Sequence, residues 1–226
     1  RPTPPPHSTP FPYTTLFRSS HNIVWSFYEN EEGILWIGTD SGGLNRFDRR
    51  TGRWRHYLHR PGDSSSLSHN TVRAVFGDRD GALWIGTNGG GVNRLDQKTG
   101  QITHYRHDSE DPNSLSHDEL RSIYQDRSGA LWFGTFGGGL DRLDPSTGVF
   151  THYRHDPEDP SSISHDFIRL AYEDREGVLW VGTQGGGLNR LDPETGAFTR
   201  YRHDPEDPSS ISTDHVFAIH EDRDGT

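Results

Sequence analysis

Four stretches of this chain are nearly the same: GILWIGTDSGGLNRFD at 33–48, GALWIGTNGGGVNRLD at 81–96, GALWFGTFGGGLDRLD at 129–144 and GVLWVGTQGGGLNRLD at 177–192. They recur every 48 residues without insertion or deletion, so Leu35-Trp36, Leu83-Trp84, Leu131-Trp132 and Leu179-Trp180 fall in one register. Tyr57, Tyr105, Tyr153 and Tyr201 keep the same period. A fixed period of roughly 20–50 residues marks a repeat architecture, in which one unit cannot bury its apolar faces alone and its neighbours must cover them. Composition by itself points the other way. Leu, Ile, Val and Phe supply 45 of 226 residues and the net charge is −10, close to the values of chains that stay disordered. The register of the aromatics is what predicts an ordered fold.

One unit reads as four short strands, at 72–76, 82–87, 92–96 and 101–106, separated by turns at 78–81, 89–91 and 97–100. Gly89-Gly90-Gly91 reverses the chain, since glycine reaches the positive φ that a tight hairpin requires. A longer loop follows, from Asp108 to Asp118. Strands of this length between Gly, Asn and Asp turns predict antiparallel meanders, and no window carries a helical period. The expectation is an all-β chain: a β-propeller of 48-residue blades, four of them plus the start of a fifth. The propeller spans 21–226, in units 21–68, 69–116, 117–164 and 165–212, with 213–226 incomplete. In each blade the first strand lines the central channel, and the Leu-Trp strand wedges its indole between adjacent blades.

The N-terminal segment, RPTPPPHSTPFPYTTLFRS at 1–19, shares nothing with the repeat. FPYTTLFRS resembles the translation of a sequencing-library adapter, so 1–20 is expected to be non-native or disordered and is left out of the fold. There is no Met, and the chain stops where the next Leu-Trp falls due; both suggest an interior piece of a longer protein. Without Cys there is neither a disulfide nor a thiolate metal site. Lys and Arg are scattered through an acidic chain, which argues against a nucleic-acid partner. No apolar run is long enough to insert directly into a membrane.

Several constellations imitate chemistry. His104-Tyr-Arg-His107, with copies His56/His59 and His152/His155, has HxxH spacing. On a strand, residues three apart point to opposite faces, and the fourth copy has Arg200 in place of the first His. These histidines therefore read as solvated outer-strand residues, with no metal. The acidic loops Asp108–Asp111, Asp156–Asp159 and Asp204–Asp207 lack any calcium-loop spacing and read as turn formers. The glycine triplet is no phosphate cradle, because no Lys-Ser or Lys-Thr follows it. Arg94 and Asp96 read as a structural pair or turn cap. No paired carboxylates or nucleophile–base set stands out, so no catalytic residue is assigned.

The recurring pattern G-x-LWIGT-x-GGGL-x-RLDP-x-TG-x-F-T-x-YRHDP, over 21–226, resembles the two-component regulator propeller repeat. The resemblance implies an extracytoplasmic, periplasmic sensor region of one or two seven-bladed propellers. It also implies an Ig-like domain, a membrane helix and a histidine kinase or other output module further along a polypeptide that is homodimeric at full length. Many members respond to oligosaccharides. A seven-bladed ring of such units needs about 336 residues, so four blades of it are here.

Where the copies disagree is more informative than where they agree. Asp40, Asn88, Phe136 and Gln184 stand before the glycines, four different chemistries in an otherwise fixed phrase. The first strand has a second variable column: Trp25, Arg73, Arg121, Arg169 and Phe217. Both are expected to rim one mouth of the channel, a concave place for a ligand. The candidate ligand-binding residues are thus Asp40, Asn88, Phe136, Gln184, Arg73, Arg121 and Arg169, with Phe136 as a stacking platform on an exposed turn. The functional expectation is a non-catalytic, ligand-sensing propeller needing no cofactor, which shifts the population of a downstream module. The alternatives are a protein-interaction scaffold and, further off, a propeller lyase or glycosidase.

Overall fold

In the computed structural model, which describes residues 19–222, every element is a strand and no described segment is helical. None is a helix long and apolar enough to cross a membrane. The first sheet comprises β1 (Val24–Glu29), β2 (Ile34–Thr39), β3 (Leu44–Asp48) and β4 (Arg53–Tyr57). The second holds β5 (Val72–Gly77), β6 (Ala82–Thr87), β7 (Val92–Asp96) and β8 (Ile102–Tyr105). The third holds β9 (Leu120–Gln125), β10 (Leu131–Thr135), β11 (Leu140–Leu143) and β12 (Phe150–Tyr153). The fourth holds β13 (Ile168–Glu173), β14 (Leu179–Thr183), β15 (Leu188–Leu191) and β16 (Phe198–Tyr201). Each sheet pairs its strands antiparallel in chain order. The first strands of successive sheets touch, β1 with β5, β5 with β9 and β9 with β13. The four sheets are therefore blades radiating from a common inner wall.

The core lies between blades, not inside them. Trp84 and Val92 of the second blade cluster with Leu115 of the connecting loop and with Leu120, Phe133 and Phe150 of the third blade. Trp132 and Leu140 repeat the arrangement against Ile163 of the next connecting loop and Ile168 and Val181 of the fourth blade. This is why a 48-residue unit cannot stand alone: the indole of each blade is covered by the next. Outside each tryptophan stands the tyrosine of the fourth strand, 5.5 Å away for Trp84–Tyr105 and 5.7 Å for Trp132–Tyr153.

The glycine of the Leu-Trp strand serves the same stacking. A Cβ on Gly86 would stand 2.8 Å from the Cβ of Leu120, and one on Gly182 would stand 2.8 Å from a methyl of Val216. The next blade's inner strand thus rests directly on glycine backbone.

In three blades an aspartate at the first turn holds the indole N–H: Trp84 Nε1 donates to Asp78 (2.7 Å), Trp132 to Asp126 (2.8 Å) and Trp180 to Asp174 (2.7 Å). The other carboxylate oxygen accepts the backbone N–H of Ala82, Ala130 or Val178. The first blade has Asn30 there; its Oδ1 accepts from Ile34 N–H at 2.9 Å, while Trp36 Nε1 is buried with no partner. Asn30→Asp supplies the missing acceptor and is expected to raise stability by about 1 kcal/mol, seen as a melting temperature a few degrees higher. An unchanged or lower value would show that the Trp36 donor is satisfied in another way.

Residues 1–18 and 223–226 lie outside the described residues, and with them most of the segment set aside at 1–20. Ser20, placed in that segment, instead belongs to the repeat. Its N–H donates to Asn45 Oδ1 (2.9 Å) and its hydroxyl accepts from Asn45 Nδ2 (2.8 Å), as Ser68 does with Asn93 and Ser164 with Asn189. Residues 213–222 dock as a further inner strand would: His215 bridges Gln184, and Glu221 accepts from the N–H of Arg175 as Glu173 accepts from that of Arg127.

Candidate ligand-binding site

Every inner strand carries a break in its ladder, and in all four blades it falls at the same position. Pairing shifts between Val24 and Ser26, Val72 and Ala74, Leu120 and Ser122, and Ile168 and Leu170. The residue inside each bulge is Trp25, Arg73, Arg121 or Arg169, the variable column itself. A bulged residue is released from the strict in–out alternation and can be aimed separately from its neighbours, which is why bulges gather at functional sites.

The loop before the glycines meets this column. Asn88, Phe136 and Gln184 each form a bridge to the residue that opens the next blade's inner strand: Glu119, Phe167 and His215. Gly89 and Gly91 N–H both donate to Asp118 O, and Gly137 and Gly139 N–H to Asp166 O. The loop is a joint between blades. Its first and last glycines hold positive φ, 101° at Gly89 and 72° at Gly91, as a turn this tight demands.

The arginines knit the columns into one cluster. Arg121 Nη1 donates to Asn88 Oδ1 at 2.8 Å, across a blade boundary, and its guanidinium carbon lies 4.5 Å from the Phe136 ring centre. Glu119 sits 3.4 Å from Arg121. Arg169 donates to Gln184 and lies 5.1 Å from the Phe217 ring, while Arg73 covers Trp25 at 3.7 Å. Burial lowers the pKa of both Arg73 and Arg121; Asp40 opposes this at Arg73, and Glu119 at both. All seven candidate residues are half-buried; Arg121 touches Asn88 and Phe136, Arg169 touches Gln184, and Asp40 and Arg73 act on one another through charge.

The position of Phe136 departs from expectation. It is no free platform on an exposed turn: its ring stacks on Phe167 at 4.2 Å with 14° between planes, and Arg121 lies over it as well. Phe136 and Phe167 form the apolar floor of the patch. The spacing argument also missed a third column, Ile23, Thr71, Glu119, Phe167 and His215. These lie two residues before the bulge and differ among copies, which was the available signal.

The histidines stay open to solvent, with His56, His107 and His203 exposed, but they are also tied to the chain around them. His107 Nδ1 is 2.8 Å from Leu115 O, and His155 and His203 make the same bond to Ile163 and Ile211 O, clasping the long loop. His152 Nδ1 lies 2.6 Å from Asp141, whose hydrogen bond raises the imidazole pKa. Among the described residues no group of three His, Asp or Glu side chains could hold a metal ion. Acidic-loop carboxylates face their own turns: Asp108 accepts from Glu110 N–H and Asp111 from Asn113 N–H. Asp96 caps its turn through Lys98 and Thr99 N–H, whereas Arg94 lies over Trp84 at 5.9 Å.

Known proteins agree with this architecture. The family model for the two component regulator propeller matches residues 19–41, 66–89, 114–137 and 162–185. The extracellular domain of the putative hybrid two component system BT3049 from B. thetaiotaomicron aligns with 27% identity and a TM-score of 0.77, over 91% of this chain and 27% of that one. That of the putative one component system BT4673 from the same organism aligns with 26% identity and a TM-score of 0.63, over 85% and 25%. The chain thus spans about a quarter of the length of these two relatives. Virginiamycin B lyase from Staphylococcus aureus, 19% identical with a TM-score of 0.61 over 80% of this chain and 56% of that one, shares the fold. No curated protein matches the chain. With one match on each blade and the same stacking of four-stranded sheets, the chain carries four two-component regulator propeller repeats.

Proposed function

We propose that this segment is the ligand-sensing part of a periplasmic receptor region in a two-component signalling protein. On this reading it is non-catalytic and takes a saccharide-like ligand at the inner rim. The observation that carries the proposal is the convergence of the variable columns. Residues that differ between otherwise matching blades gather in one half-buried patch, where polar donors, acceptors and an aromatic floor lie side by side. Such a patch has the mixture a sugar needs: hydrogen-bonding groups for hydroxyls and a flat apolar surface for ring C–H faces. The two extracellular relatives support the receptor setting. Ligand binding would favour one arrangement of the rim and pass that preference to a downstream module.

Calorimetric titration of the protein with neutral and acidic oligosaccharides tests this. At least one class is expected to bind with Kd below about 1 mM, and Phe136→Ala to weaken it about tenfold, equivalent to 1.4 kcal/mol. Because Phe136 also supports Phe167 and Arg121, its melting temperature is expected to fall by a few degrees. Gln184→Ala, which removes only a polar rim group, provides a second variant with the fold less disturbed. Absence of binding heat for every class would sink the proposal.

A further inference from the structure

The rim is cationic in an acidic chain. The net charge of the sequence is −10, yet three consecutive blades place an arginine at the bulge of the inner strand, Arg73, Arg121 and Arg169. The side chain of Arg121 is only 14% exposed. Glu119 lies 3.4 Å from Arg121, and Asp40 and Glu119 both act on Arg73 through their charge. Asp118, Asp166 and Asp214, at the starts of the inner strands, accept the backbone N–H groups of His107, His155 and His203.

We propose that Arg73, Arg121 and Arg169 form an anion-binding rung, and that the ligand of this rim carries carboxylate or sulfate groups. This rests on the saccharide-sensing reading above and narrows its chemistry.

Three observations carry it. First, the arginines crowd one another: Arg121 is held down in pKa by both Arg73 and Arg169 after burial itself, a repulsion that a bound anion would relieve. Second, Nε of Arg73 and of Arg169 is buried without a hydrogen-bond partner. A buried unpaired donor is costly, and Nε–H together with Nη–H is the edge by which a guanidinium grips a carboxylate or sulfate with two parallel bonds. Third, the guanidinium planes are supported by aromatic rings, Trp25 at 3.7 Å, Phe136 at 4.5 Å and Phe217 at 5.1 Å. Support of this kind fixes orientation while leaving the donors to a ligand. One arginine per blade also sets a repeat, matched by an oligomer with one acidic group on each of several residues.

Three probes decide it by calorimetry on the protein: an oligogalacturonide, the same oligomer fully methyl-esterified, and a sulfated oligosaccharide of similar length. The acid form is expected to bind at least tenfold more tightly than its ester, and to lose that advantage as salt rises from about 50 to 500 mM, where charge pairs are screened. Arg73→Gln and Arg169→Gln should each weaken the acid about tenfold and narrow the gap between acid and ester. Arg73→Lys, which keeps the charge and loses the fork, should recover only part. Melting curves on each variant separate lost binding from lost fold. Tighter binding of the sulfated probe would assign sulfate, and the reverse a uronate. Equal binding of acid and ester, or arginine variants that leave the acid's advantage intact, overturns the rung while saccharide sensing stands. Binding of the ester without either acid does the same. If no probe of any class binds, both readings fall.

Discussion

Trp132→Ala is expected to cost about 3–5 kcal/mol of stability, the range for removing a large buried aromatic, and Trp180→Ala clearly less. The two residues are copies 48 positions apart, and their local surroundings match: each donates its indole N–H to an aspartate and leans on a tyrosine. They differ in what covers them. Trp132 is 4% exposed and packs in the cluster built from the fourth blade. Trp180 lies in the last of the four described sheets and stays half-buried. Denaturant unfolding of both variants, read as midpoint and slope, gives the comparison. Equal losses would mean that the tryptophans act within their own blades and that the interface contributes little.

Gly86→Ala, a change of one methyl group, is expected to destabilise by about 1–3 kcal/mol through overpacking. The backbone at Gly86 is ordinary strand, so the conformation of alanine is not at issue. The obstacle is the Leu120 Cβ, 2.8 Å from where the new methyl would stand, with Ala74 Cβ at 3.3 Å. A side chain can turn away from a clash; a Cβ moves only with its backbone. The third blade must therefore retreat, opening the cluster around Trp84 and Leu120. Thermal unfolding that matches the parent protein would show that the blades have slack at this contact.

Much of the fold was legible because the repeat makes four independent statements of each fact. Leu35-Trp36 alone is an ambiguous apolar pair, but in four registered copies it identifies a buried column. The strand glycine at Gly38, Gly86, Gly134 and Gly182 carries no such signal, since glycine in a sequence marks turns and its use as a landing surface depends on the neighbouring blade. The rim was half legible. The columns of Asn88 and Arg121 stood out by disagreement among copies, and the structure joins them directly. That Phe136 lies on Phe167 could not be read, because it requires knowing that the loop of one blade is bridged to the strand start of the next. The bulge was invisible too: a strand with an extra residue looks the same in sequence as one without.

The placing of the core between blades also governs the order of assembly. Trp36 is sheltered by residues from Leu67 to Ile102, so it remains uncovered on the ribosome until the next unit has been made. Each later tryptophan waits in the same way for its successor. No single interface is privileged, and folding can start at any one of them and spread in either direction. The contacts that matter are never much farther apart along the chain than one unit, which keeps loop-closure costs low for an all-β protein. The exposed ends of such a growing stack, where Phe27 is 74% and Phe217 68% accessible, are the surfaces on which a half-made molecule meets another of its kind.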